Sequence, residues 1–208
     1  MEQVILQTTY QLFTTHGIHQ FTMDELANRL GISKKTLYRF FPSRQDLVEQ
    51  VSNLLSENYL ADLQAVDDQK MDSLQRLLGY IGAVVEFCKK TSPVFFSDLR
   101  KHYPFQWMEL QMKLDQALHA RVKRVLETGI SEGLIRGNLH PNLVISIWQQ
   151  HIQTDFEYAS KLVNDYSKDE VFRQAMYLFL YGIIAPGAIP RLESELLSLR
   201  PGTPAVSQ

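Results

Sequence analysis

The chain of 208 residues has a single cysteine, Cys88, which excludes an intrachain disulfide and fits a reducing compartment. It also lacks a strong charge of either sign. A net charge of −2 argues against a protein that coats nucleic acid over its whole surface, although a local basic patch still acts within a Debye length of about 8 Å. Long apolar runs are missing too. The most apolar segment, AMYLFLYGIIAPGAI from Ala175, contains Pro186 and follows Arg173, and is shorter than the roughly twenty residues that span a bilayer. The opening MEQVILQTTY has no basic stretch followed by an apolar one, so a secretory signal is not expected. No Asn-Gly or Asp-Gly hairpin turn separates alternating strands. A cytoplasmic protein without a membrane segment is the expectation.

What is present is helical periodicity nearly throughout, which predicts an all-α fold of about nine to ten helices. Ile5, Thr8, Leu12 and Phe13 make the inner stripe of a first helix that ends near Gly17. Thr22 and Glu25 in TMDELANRL have capping-box spacing, and Leu26, Ala27 and Leu30 face inward until Gly31 stops the helix. Ser33 is placed to cap a third helix, KKTLYRFF, with Leu37, Phe40 and Phe41 as its apolar side. Ser43 and Asp46 open a fourth, running to about residue 65 with no flexible linker before it. Further helices are read over about 71–89, after Pro93, from Pro104 to Gly133, from Pro141 to about Val163 and from Lys168 to Ala185. PRLESELLSL adds a short one. The expected division is a small N-terminal helical domain over 1–48, a larger helical domain over 49–200 and a frayed tail over 201–208.

Two short helices joined across LGIS match a helix-turn-helix, in which a scaffold helix crosses a second helix and presents it outward. With Leu37, Phe40 and Phe41 committed to the core, the free side of the third helix shows Lys34, Lys35, Thr36, Tyr38 and Arg39. Lys or Arg can donate to guanine O6 and N7 in the major groove, while Thr serves base edges or a thymine methyl. Tyr38, Ser43 and Arg44 suit phosphate oxygens. From Leu26 to Gln45 the charges are Arg29, Lys34, Lys35, Arg39 and Arg44 with no acid, a local +5 in a chain of −2. The candidate DNA contacts are therefore Thr22, Ser33, Lys34, Lys35, Thr36, Tyr38, Arg39, Ser43 and Arg44, weighed against the solvated face of an ordinary helical hairpin.

The stretch FTMDELANRLGISKKTLYRFFPSRQDLVEQV resembles the DNA-binding domain of the TetR family (tetracycline-repressor-like) of bacterial transcriptional regulators, and ILQTTYQLFTTHG fits its first helix. The matching places are Thr22, Leu26 with Ala27, Gly31-Ile32-Ser33, Thr36-Leu37-Tyr38, Phe40-Phe41 and Ser43-Arg44 with Leu47. Lys35 departs from the pattern, since many members carry glycine there. The resemblance implies a homodimer built by the last two long helices, with a palindromic double-stranded DNA operator. The sequence independently offers Val171, Ala175, Met176, Phe179 and Ile183 as an apolar stripe for that pairing. The resemblance also implies a small apolar or amphipathic effector in the larger domain, for which Phe87, Phe95, Phe96, Tyr103, Trp107, Met108, Met112, Trp148, His151 and Phe156 supply aromatic and methionine surface. Ordinary core packing is the competing reading of those residues.

Asp98 with His102, and His151 with Asp155, are i, i+4 pairs that could converge, but without an HExxH or Cys-rich ligand set no metal or cofactor is expected. No nucleophile elbow or phosphate loop points to an enzyme. Cys88 reads as a small buried hydrophobe. A ligand-responsive repressor is the leading expectation. The alternative is a DNA-bound adaptor whose helical domain docks a protein partner.

Overall fold

Three short helices that share one apolar side open the fold. The computed structural model describes residues 1–149 and 168–198, which are all-α apart from one isolated antiparallel bridge between Ile135 and Ile184. In chain order the helices are α1 (Glu2–His16), α2 (Met23–Arg29), α3 (Lys34–Phe40), α4 (Arg44–Asp67), α5 (Ser73–Lys90), α6 (Pro93–His102), α7 (Pro104–Ser131), α8 (141–149), α9 (Lys168–Ile183) and α10 (Ile189–Ser198). A 3₁₀ turn over Pro186–Ala188 precedes α10. None of the described helices is long and apolar enough to cross a membrane.

Each start and stop has a local cause. Gly17 ends α1 at φ 95°, and a Cβ there would meet Val94 Cγ1 at 2.6 Å, so only glycine lets the turn lie against α6. Gly31, at φ 65°, makes the bend between α2 and α3. Pro93 sits in the first turn of α6, where its missing N–H costs nothing.

The chain forms two units by contact. One comprises residues 1–68 and 80–118, the other 69–79 and 119–208. The first unit is built on Ile5, Phe13, Leu26, Leu37, Leu47, Val51, Leu55, Phe95, Leu99 and Leu110, all fully or nearly fully buried. Its core thus runs from the helix-turn-helix into α4, α6 and the start of α7, and contact does not divide the chain at residue 48. The boundary between 48 and 49 stands as a proposal about which part reads DNA. One inward position of α1 is corrected: Thr9 is buried and Thr8 only half-buried, because the stripe follows i, i+4, i+8 from Ile5 through Thr9 to Phe13.

In the second unit Asp72 accepts from the backbone N–H groups of Leu74 and Gln75 (2.9 and 3.0 Å) and pairs with Arg191, which joins the start of α5 to α10. Arg136 Nε donates to the Ile184 carbonyl (3.1 Å), fixing the turn after α7 against the end of α9. Leu192 of α10 is fully buried, as its periodicity predicts, while Leu196 is half-buried.

Candidate nucleic-acid interface

A seven-residue helix does not hold itself together in water, so α2 and α3 depend on caps and on the core beneath them. Thr22 Oγ1 accepts from the Glu25 N–H (3.2 Å) while the Glu25 carboxylate accepts from the Thr22 N–H (2.7 Å) and hydroxyl (2.9 Å), a complete capping box. Those donated bonds hold the Glu25 carboxyl below its usual range. Ser33 Oγ accepts from the Thr36 N–H (3.0 Å) and shares a hydroxyl bond with Thr36 Oγ1 (2.8 Å). Leu37, with no exposed surface, and Phe41 fix the inner side of α3. Phe40 is only half-buried, and the Arg39 guanidinium lies over its ring at 5.0 Å. Ser33, Lys34, Lys35, Tyr38 and Arg39 are exposed together on the remaining surface, with Thr36 half-exposed among them and Thr22 exposed at the start of α2.

The local +5 is not five free cations. Arg29 lies over the Phe21 ring at 4.9 Å. Lys34 Nζ is 2.7 Å from the Asp24 carboxylate on α2, and the hydrogen bond and charge of Asp24 raise its pKa. Lys35 makes no hydrogen bond, ion pair or ring contact among the described residues. It is the cation of the recognition helix most available to a ligand.

Two of the expected phosphate ligands are spent inside the protein. Ser43 Oγ accepts from the Asp46 N–H (3.0 Å) and donates to its carboxylate (2.8 Å), capping α4. Arg44 turns inward: Nη1 donates to the Phe21 carbonyl (2.6 Å), Nη2 to the Ile18 carbonyl (2.6 Å) and Nε to the Tyr103 hydroxyl (3.0 Å). A rigid guanidinium fork satisfies two carbonyls of the α1–α2 turn at once, which outweighs reaching into solvent. The same turn is held by α6, since the His19 N–H donates to Asp98 Oδ2 (2.9 Å) and the His19 and His102 rings lie 4.0 Å apart. The Ser92 N–H donates to the Thr14 carbonyl (2.7 Å).

The candidate effector residues are divided between the two units. Phe87, Phe95, Phe96 and Trp107 pack in the first unit, with centroid spacings of 6.0 Å for Phe87–Phe96, 5.6 Å for Phe95–Phe96 and 6.0 Å for Phe96–Trp107. Tyr103 serves Arg44. Met108 and Met112 are 50% and 48% exposed on the outer side of α7, because α7 turns Gln106 and Leu110 inward instead. Trp148 packs in the second unit against Phe179 at 4.3 Å and buries an indole N–H that has no acceptor among the described residues. His151 and Phe156 lie outside the described residues, as does Asp155, so the convergence of the two Asp/His pairs is not described. Asp98 is committed to His19, and no group of three or more metal-ligating side chains occurs among the described residues.

The stripe expected to join two protomers is largely internal. Met176 and Ile183 are buried and Phe179 is turned onto Trp148, with Ala175 half-buried beside them. Of Val171 only the helical backbone is described. The exposed apolar residues on these helices are instead Leu178 on α9 and Leu143 and Ile147 on α8. Their exposure is not read from apolarity, because the most apolar side of α9 helps fill the core of the second unit. The i, i+4 spacing of Leu143 and Ile147 was the available signal.

Residues 5–51 match the family of bacterial regulatory proteins named for tetR. The chain is 24% identical over 190 residues to the HTH-type transcriptional regulator YvaF of Bacillus subtilis (strain 168), covering 89% of this chain and 96% of that one. It is 25% identical over 136 residues to the nucleoid occlusion factor SlmA of Vibrio campbellii (strain ATCC BAA-1116), covering 65% and 68%. Its fold is similar to that of a solved TetR-family transcriptional regulator from Agrobacterium tumefaciens, with a TM-score of 0.68 at 19% identity over 88% of this chain and 97% of that chain.

Proposed function

The chain belongs to the TetR family of DNA-binding transcriptional regulators, and from that premise we propose that it is a homodimeric repressor that reads a palindromic operator through α3. One observation carries the reading: a capped, Leu37-anchored helix that keeps Lys35, Thr36, Tyr38 and Arg39 on its outward side. Lys35 and Thr36 are the base-reading residues in this proposal, with Tyr38, Arg39 and the caps at Thr22 and Ser33 setting register on phosphate. A two-fold pair would present two such helices to half-sites about 34 Å apart or a multiple of that.

Release of DNA is proposed to follow binding of a small apolar or amphipathic molecule in the helical domain. The buried Trp148 N–H supports this, since an acceptor on a guest would satisfy it. So does the latch of α6 on the α1–α2 turn, which gives α6 as well as α4 a grip on the reading head. A guest that prefers the DNA-free form by about 100-fold supplies about 2.7 kcal/mol for that change.

The test is selection from random duplexes. An inverted repeat should emerge, with affinity falling along a log–log salt slope of about −5 to −7 if the dimer neutralises six to eight phosphates. Lys35→Gln should reorder the selected sequences by about 1–3 kcal/mol at one position per half-site. A pool of winners without symmetry would reject the proposal. The name of the SlmA relative favours one second reading, a DNA-bound adaptor that docks a protein. In that case cell extract, and not small molecules, would alter the DNA complex.

A further inference from the structure

The first turn of α3 carries two adjacent cations, Lys34 and Lys35, and no acid. That is the positive end of the helix, where cations are disfavoured and anions are welcome. The missing anion comes from another element. Asp24 stands in the first turn of α2, itself a favourable place for a carboxylate, and reaches across the helix-turn-helix to Lys34 at 2.7 Å. Both side chains are open to solvent, 56% exposed for Lys34 and 61% for Asp24, so the pair sits on the outer surface and is not a buried structural bridge.

We propose that Asp24 is a specificity-determining residue of the DNA-reading surface, holding the Lys34 ammonium against α2 so that it does not attach to any passing phosphate. The inference rests on the reading of α3 as the DNA-contacting helix. An exposed ion pair is weak and opens readily, so it lowers attraction to all duplexes by a modest factor. A correctly placed base acceptor or phosphate on the preferred sequence draws Lys34 away from Asp24, and disordered encounters with other DNA do not. Lys35 has no such restraint and continues to contact either kind of duplex. Discrimination thus comes from an acid placed beside the cation it restrains.

The experiment measures binding of the full chain to its selected duplex and to a scrambled one across a salt series. The variants are Asp24→Asn, Asp24→Glu, Lys34→Gln, Lys35→Gln and the Asp24→Asn/Lys34→Gln pair, each checked for unchanged helicity. Asp24→Asn should tighten binding to the scrambled duplex about 3- to 5-fold per protomer and steepen its log–log slope by up to about 0.9 for each protomer, with a smaller gain on the selected duplex. Asp24→Glu should behave like the parent chain, and the gain should vanish in the pair. An equal gain in the Lys34→Gln background would mean that Asp24 acts only as a general repulsive charge, and would overturn the proposal. No change on Asp24→Asn would overturn it too, while DNA binding that still responds to Lys35→Gln would leave the reading of α3 standing. If the parent chain shows no salt-dependent binding to any duplex, both fall together.

Discussion

Arg44 shows how a single cation can be legible as a type and illegible as a role. Its three donor bonds tie α4 to the Ile18 and Phe21 carbonyls and to Tyr103, so its loss leaves two carbonyls of the α1–α2 turn without their partner. Arg44→Ala is expected to cost about 1.5–3 kcal/mol in urea unfolding, with Arg44→Lys recovering only part, because an ammonium cannot span both carbonyls as a fork does. The salt slope of DNA binding should stay unchanged in the charge-removing Arg44→Gln. A slope shallower by about 1.8, one phosphate lost per protomer of the pair, would instead return Arg44 to the phosphate contacts. Cys88 is the simpler case: it is half-buried where the sequence predicts a buried residue, and its desolvation pushes the thiol up to about 12, so it is protonated at neutral pH.

At the scale of the element, α3 is too short to persist without its cap and its anchor. Ser33 supplies the cap, and its place at the outer surface gives two substitutions opposite readouts. Ser33→Ala should lower stability by about 1 kcal/mol and speed amide exchange in α3, measured by denaturation and hydrogen exchange. Ser33→Asp should keep the cap and the stability while weakening DNA binding, since it sets an acid where phosphate would lie. The elements were the most legible level of the chain. Thr22 with Glu25, Ser33, Gly17 and Gly31 mark starts and stops through bonds made within a few residues, and each does in the structure what its spacing implied. Thr8 against Thr9 shows the limit, because a residue's side of its helix depends on neighbours that periodicity alone does not identify.

At the scale of the whole molecule, the question is which apolar surface is left for a second copy. Leu178 is 78% exposed, and Leu143 and Ile147 are exposed on α8, the helix whose Trp148 packs on Phe179 of α9. If these residues join two protomers, Leu178→Glu should shift the protein to monomer in analytical ultracentrifugation while leaving its helicity and melting intact. Met176→Glu should unfold the protomer instead, since it places a charge in the core of the second unit. A Leu178→Glu protein that stays dimeric would remove this face from the proposal.

The amino-acid sequence alone determined the order and kind of the helices, the caps that bound them and the gathering of basic residues around α3. These follow from interactions a few residues apart, which linear spacing encodes directly. Tertiary structure decided which of those basic residues stay available, which side of α9 faces outward and how the first core runs on into α6 and α7. Such outcomes depend on partners far along the chain, such as Tyr103 for Arg44 and Phe179 for Trp148, and helix crossing selects them only when the chain is packed.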